Sequence, residues 1–293
     1  MIPNNNLSVL PFYKNRNQQN AKKWWMYGRV YPLFTQAGFI LPFQIIKEHN
    51  ANDVVNLCYL WHETDVWHPT DDLSNTMIPQ ITKKEFPTLG YDVYVFTGLL
   101  PVSASVNNGR YYLQIQISGG GQLQVYYSEI FTVVNDIQPY LKITWWDVND
   151  FVMDAGTIVY TNPEFKNVLY LQSDIAKPEY VFEEEGEERD GYFFPTKQIS
   201  EKRYRFNFFA SEYLLDVMRF IRMADFVEIE YHGQKYSLDT FLITPEWEDN
   251  GDVAAVEAVF ETATVAKKIG LGYIRSQRGD FNDDFNNDFN NQQ

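Results

Sequence analysis

Between Arg110 and Val134 the chain alternates apolar and polar residues with a period of two. In RYYLQIQI, Leu113, Ile115 and Ile117 fall on one side; Gly119–Gly121 interrupts, and QLQVYYSEIFTVV resumes the run. A period of two sends successive side chains to opposite faces of a strand, which an α-helix cannot reproduce. Two such runs joined by a glycine turn form a β-hairpin. Arg29–Tyr31, Phe39–Ile46, Val54–Trp61 (VVNLCYLW) and Tyr91–Phe96 (YDVYVF) carry related signals, broken by Pro32, Gly38 and Pro42. Five or six short strands with turns between them, over about a hundred residues, predict an immunoglobulin-like β-sandwich spanning residues 26–135. The 20 Tyr and 22 Phe suit this, because flat rings pack well on pleated, half-buried faces.

A second β-rich domain is expected over 136–269. Its strand signals are Tyr140–Trp146, Gly156–Tyr160, Asn167–Leu171, Glu179–Phe182, Glu201–Phe209, Phe226–Tyr231, Lys235–Thr244 and Val253–Thr262, with His232-Gly233 as a turn. One helix is predicted within it, over Ser211–Ala224. Ser211 can cap it, Glu212 suits the positive end of its dipole, and Leu214, Val217, Met218 and Ile221 form an apolar stripe. Glu183–Asp190 (EEEGEERD) reads as a solvated loop. Residues 1–25 read as a polar arm that needs a partner surface to order, and 270–293 as a tail rich in Phe, Asn and Asp.

At 293 residues, a length of about two domains, the chain can bury a sizeable core without disulfides. Its charge of −15, from 24 basic and 39 acidic residues, argues against a nucleic-acid binder and against docking on an anionic membrane. No apolar run is long enough to span a bilayer, and the N-terminus lacks the pattern of a signal peptide, so synthesis and folding in a cytoplasm are expected. Cys58, the single cysteine, excludes an internal disulfide or a multi-cysteine metal site.

Candidate chemistry is sparse. His62, Glu63, Asp65 and His68 could ligate a metal, but the histidine spacing is not that of a helical zinc motif and Pro69 follows; a polar inter-strand loop is the simpler reading. The acidic run lacks the alternating ligands of a calcium loop and reads instead as a charged hairpin tip. Nucleophile-elbow, dinucleotide and P-loop motifs are missing from the sequence; Gly270-Leu271-Gly272 has neither their spacing nor the following Lys. Cys58 reads as a small buried hydrophobe. We therefore expect no enzyme, no cofactor and no metal.

Trp24-Trp25 and Trp145-Trp146 are adjacent pairs, so in a strand one ring of each points into the core and the other outward, either to an interface or a ligand or under a covering loop of the same chain. Arg278-Gly279-Asp280 matches an integrin-ligand tripeptide, but three residues coincide by chance. The sharpest interaction signal is Phe281, Phe285 and Phe289, spaced by four and each followed by Asn. Such anchors bury apolar surface on a partner after an ordering cost; the alternative is a frayed tail. Expected partner-binding residues are thus Phe281, Phe285, Phe289, Trp24, Trp25 and Trp146.

Gly109–Val134, YLKITWWD (Tyr140–Asp147), the stretch Glu183–Ile229 and GDVAAVEAVFET (Gly251–Thr262) together resemble tail and virion structural proteins of phages and prophages of Bacteroidales gut bacteria, the crAss-like phages included. The resemblance spans roughly residues 90–265, and the N-terminal LPFYKNRNQQNAKKWWMYGRVYPLF is similar to the same group. It implies a non-enzymatic building block of the tail or the head-to-tail connection, located in the virion. Its partners would be copies of itself and other virion proteins. Terminal arms gripping neighbours and an acidic, self-repelling surface fit that design. The alternative is a host-surface glycan-binding module using exposed aromatics such as Trp67 or Trp146.

Overall fold

The computed structural model describes residues 8–19, 33–64, 72–101, 108–148, 151–152, 158–159, 165–247, 253–262 and 266–269. The fold is mainly β. In the first half the strands are β1 (Phe12–Tyr13), β2 (Leu33–Thr35), β3 (Phe43–Glu48), β4 (Val54–His62), β5 (Ile81–Phe86), β6 (Tyr91–Phe96), β7 (Gly109–Gly119), β8 (Gln122–Ser128) and β9 (Phe131–Val133). They form one sheet in the order β1-β8-β7-β9-β2, with β4 also on β7, and a second, β3-β6-β5. All pairings are antiparallel except β2 with β9. The β7–β8 hairpin forms where the alternation places it, its turn using positive φ at Gly120 and Gly121.

Phe12, Phe43 and Phe96 join the two sheets. The Phe12 and Phe43 ring centroids are 5.0 Å apart, as are those of Phe43 and Phe96, and all three rings are buried. β6 is buried along its whole length, as a central strand covered on both faces should be. Behind its turn lies a charged cluster. Asp92 accepts bonds from His49 Nδ1 (2.7 Å) and the Asn50 N–H (3.0 Å), with Lys83 Nζ at 3.3 Å, while Lys47 pairs with buried Asp53.

In the second half the strands are β10 (Leu141–Trp146), β11 (Phe151–Val152), β12 (Ile158–Val159), β13 (Asn167–Leu171), β14 (Glu179–Arg189), β15 (Tyr192–Ser211), β16 (Phe226–Tyr231), β17 (Gln234–Trp247), β18 (Val253–Thr262) and β19 (Ala266–Ile269). Eight of them form a sheet in the order β13-β10-β16-β17-β18-β15-β14, with β19 on β15; β11 and β12 pair with each other. One apolar core runs through both halves, from Leu10, Phe43 and Leu113 to Trp145, Phe206 and Phe260.

Three expectations change. The polar N-terminus is not wholly an arm: Ser8–Tyr13 is buried, β1 pairs with β8, and Gln19 donates to the Ser128 carbonyl. The partner surface it needs is its own chain's sheet. The helix is shorter than the predicted Ser211–Ala224, with α1 (Ser74–Met77) preceding it in the chain and α2 spanning Glu212–Met218. Beyond α2 the chain tightens into a 3-10 turn at Ile221–Met223, so the apolar stripe stays buried while the helix ends. Ser211 holds the cap position in extended conformation, but its side chain makes no capping bond. Finally, Glu183–Asp190 is not a solvated loop but the charged hairpin tip of the second reading: through Arg189 it is strand, and it continues β14 to the turn.

Candidate functional site

Of the six expected partner-binding residues, Trp146 alone lies among the described residues; Phe281, Phe285, Phe289, Trp24 and Trp25 lie outside them, as do Trp67, Asp65 and His68. The Trp145–Trp146 pair divides as strand geometry requires: Trp145 is in the core and Trp146 faces outward, half-buried. The outer ring is already occupied. It stacks on its cross-strand partner Phe226, with centroids 5.3 Å apart and planes 15° apart, and Lys166 Nζ lies 4.2 Å from the ring centroid. His62 Nδ1 bonds Thr64 Oγ1 at 2.7 Å, and Glu63 receives Arg110 at 3.2 Å. Cys58 is buried; desolvation, aided by the Asp72 charge, pushes its thiol up to about 12. Among the described residues no three His, Cys, Asp or Glu side chains converge as a metal site.

A groove of about 460 Å³ runs beside β15, lined by Asn207, Phe208, Thr244, Glu246, Val256 and Glu257. Glu257 already receives Arg205 at 2.8 Å.

Among the described residues, the most exposed large aromatic side chains lie elsewhere, on the β14–β15 hairpin. Its base is locked on the outer face by charge. Arg203 places Nε and Nη2 at 2.9 and 2.6 Å from Glu261, and Arg205 bridges Glu257 and Glu179. Partly exposed pairs of this kind contribute little each, but their cross-strand placement fixes the register. On the inner face Tyr204, Phe206, Phe208 and Ala210 are buried, with Tyr204 stacked on Phe260 at 5.1 Å.

Moving outward along β15, the same face carries Lys202, Ser200 and Gln198. Opposite them stand Tyr180, Phe182 and Glu184. Here the core has ended, and Tyr180 is 61% and Phe182 70% exposed. β19 lines the other edge of β15 only as far as Lys197. Beyond it, among the described residues, a two-stranded apex remains, closed by Asp190 and Gly191, both at positive φ as a type I′ turn requires. Tyr192 and Phe193 are exposed beside that turn, and Lys197 pairs with Glu185 at 2.8 Å. The side chains described from Phe182 to Phe193 are exposed on both faces, so the hairpin stands clear of the rest of the described protein.

In the sequence, the sign of this hairpin is Asp190-Gly191, the strongest short hairpin signal there is. The density of Glu before it masks the alternation of Tyr180 and Phe182.

No protein-family model, curated protein or solved structure matches the chain.

Proposed function

We propose that this chain is a structural subunit of a phage virion, placed in the tail or the head-to-tail connection, which holds its neighbours through projecting segments. The observation that carries the reading is the β14–β15 hairpin, which presents Tyr180, Phe182, Tyr192 and Phe193 to solvent beyond the core. Aromatic side chains clustered on an accessible element are enriched at protein interfaces, where they supply large contact area. The resemblance of residues 90–265 to Bacteroidales phage virion proteins supports the same reading. So does the β-rich first half, whose two sheets share one apolar core.

The gripping segments differ from the terminal arms alone. Residues 8–13 serve the protein's own fold, so the N-terminal contribution falls to residues 1–7 and 20–32, with Trp24 and Trp25. The tail, with Phe281, Phe285 and Phe289, joins them. Glycan recognition has less to stand on, since Trp146 already carries Phe226 and Lys166.

The test is composition of particles. Gradient-purified phage from a producing Bacteroidales culture should contain this chain in a fixed copy number by quantitative mass spectrometry. Its absence from infectious particles would overturn the reading.

A further inference from the structure

The hairpin apex has a defined chemistry. From Glu183 to Lys197 it carries six acidic residues against Arg189 and Lys197, a net charge of −4, flanked by exposed Tyr180, Phe182, Tyr192 and Phe193. The complement of that surface is a basic segment bearing aromatic rings. This chain contains one. Its first acidic residue is Glu48; the preceding 47 residues hold Lys14, Arg16, Lys22, Lys23, Arg29 and Lys47. Three of those cations sit together with Trp24, Trp25, Tyr27 and Tyr31 in AKKWWMYGRVY, residues 21–31.

We propose that the β14–β15 apex is the docking surface for the Lys22–Tyr31 segment of a second copy of this chain. The proposal rests on the reading of the protein as an assembling subunit and names the contact.

Two physical arguments support it. Opposite charge steers the encounter, Lys and Arg meeting Glu, and suppresses the like-charged pairing of two apices. Aromatic rings on both sides supply contact area, and cations over ring faces add to it. A contact between two different surfaces of identical subunits is heterologous, so it propagates head to tail and closes into a ring or extends as a filament.

Charge reversal tests the contact. One variant carries Glu183→Lys, Glu187→Lys and Glu188→Lys, sparing the cross-strand partners Glu184 and Glu185; the other carries Lys22→Glu, Lys23→Glu and Arg29→Glu. Wild-type chain at about 100 μM and low salt should elute as a multiple of 34.4 kDa and dissociate at roughly 1 M salt, where the Debye length is about 3 Å. Each variant alone should be monomeric, because both its surfaces carry the same sign. Mixed one to one, the two should co-assemble, since each surface of one meets its opposite on the other. A monomeric wild type, a variant that keeps the wild-type oligomer, or a mixture that stays monomeric would overturn the proposal. If the hairpin variant loses its circular-dichroism spectrum, replacing residues 186–195 by a two-residue turn reads the same interface. Loss of the oligomer then supports the proposal and retention overturns it. Failed mixing, with the chain present in purified particles, removes this contact and leaves the proposed function standing; successful mixing with the chain absent from particles does the reverse.

Discussion

Phe182 and Phe206 occupy the same face of one sheet, yet solvent reaches 70% of the first and 1% of the second. The two should respond to substitution in opposite ways. Phe206→Ala opens a cavity among Phe208, Phe241 and Phe260 and should cost about 3–5 kcal/mol of unfolding free energy. Phe182→Ser removes nothing from the core and should stay within about 0.5 kcal/mol of wild type, while weakening self-association. Urea unfolding and sedimentation on the same samples separate the two effects.

Asp92 gives the fold an acid limit. Burial alone would raise its carboxyl, but the bonds from His49, the Asn50 N–H and Lys83 outweigh burial and hold it below the usual carboxylate range. A carboxyl depressed in the folded state stabilises above its unfolded value of about 3.9, and that stability is lost as pH falls through the lower folded value. Asp92→Asn should therefore be less stable than wild type at pH 7, by about 1–3 kcal/mol. The difference should shrink as pH drops below about 4. Denaturant midpoints measured from pH 2.5 to 7 decide it, and a gap independent of pH would refute the assignment.

Cys58 should report global unfolding. With its thiol pushed up to about 12 and its sulfur buried against Met77, it is neither charged nor accessible at pH 8. Iodoacetamide should leave the native protein unmodified and label it stoichiometrically in denaturant. Rapid labelling of the native protein would contradict the burial.

Gly119, at the end of β7, lies against the turn before β4. A Cβ there would sit 2.6 Å from the Asn52 carbonyl oxygen, which is backbone and cannot swing aside. Gly119→Ala should cost roughly 1–3 kcal/mol, seen as a lowered melting temperature. Gly121→Ala, with nothing near its Cβ, should suffer only the strain of its positive φ, roughly 1 kcal/mol.

Much of the strand map is legible in the sequence, because most strands carry period two or a short apolar run. Tyr91–Phe96, Asn167–Leu171, Phe226–Tyr231 and Val253–Thr262 form with the expected bounds. Ile81–Phe86 gives no such signal: Lys83-Lys84-Glu85 breaks its alternation, and it is strand because it pairs with β6. The acidic run reads as a hairpin tip, but the length of its strand does not show for a related reason, since a projecting hairpin has no buried face to impose apolar residues. The stripe over α2 overstates the helix because a 3-10 turn can bury Ile221 just as a helix would. The hairpin's aromatic surface is visible once Tyr180 and Phe182 are known to share the face of Tyr204, a fact of register that sequence does not carry.

The pairing of Phe12 with Ser128 sets a schedule for synthesis. The first strand waits for a partner 116 residues downstream (128 − 12). At translation rates of 5–20 residues per second, that is roughly 6–23 s during which Leu10, Phe12 and Tyr13 remain unpaired outside the ribosome. The apolar stretch Ser8–Tyr13 is therefore without its partner strand for that whole interval. A slower ribosome would lengthen this exposed interval without altering the finished fold.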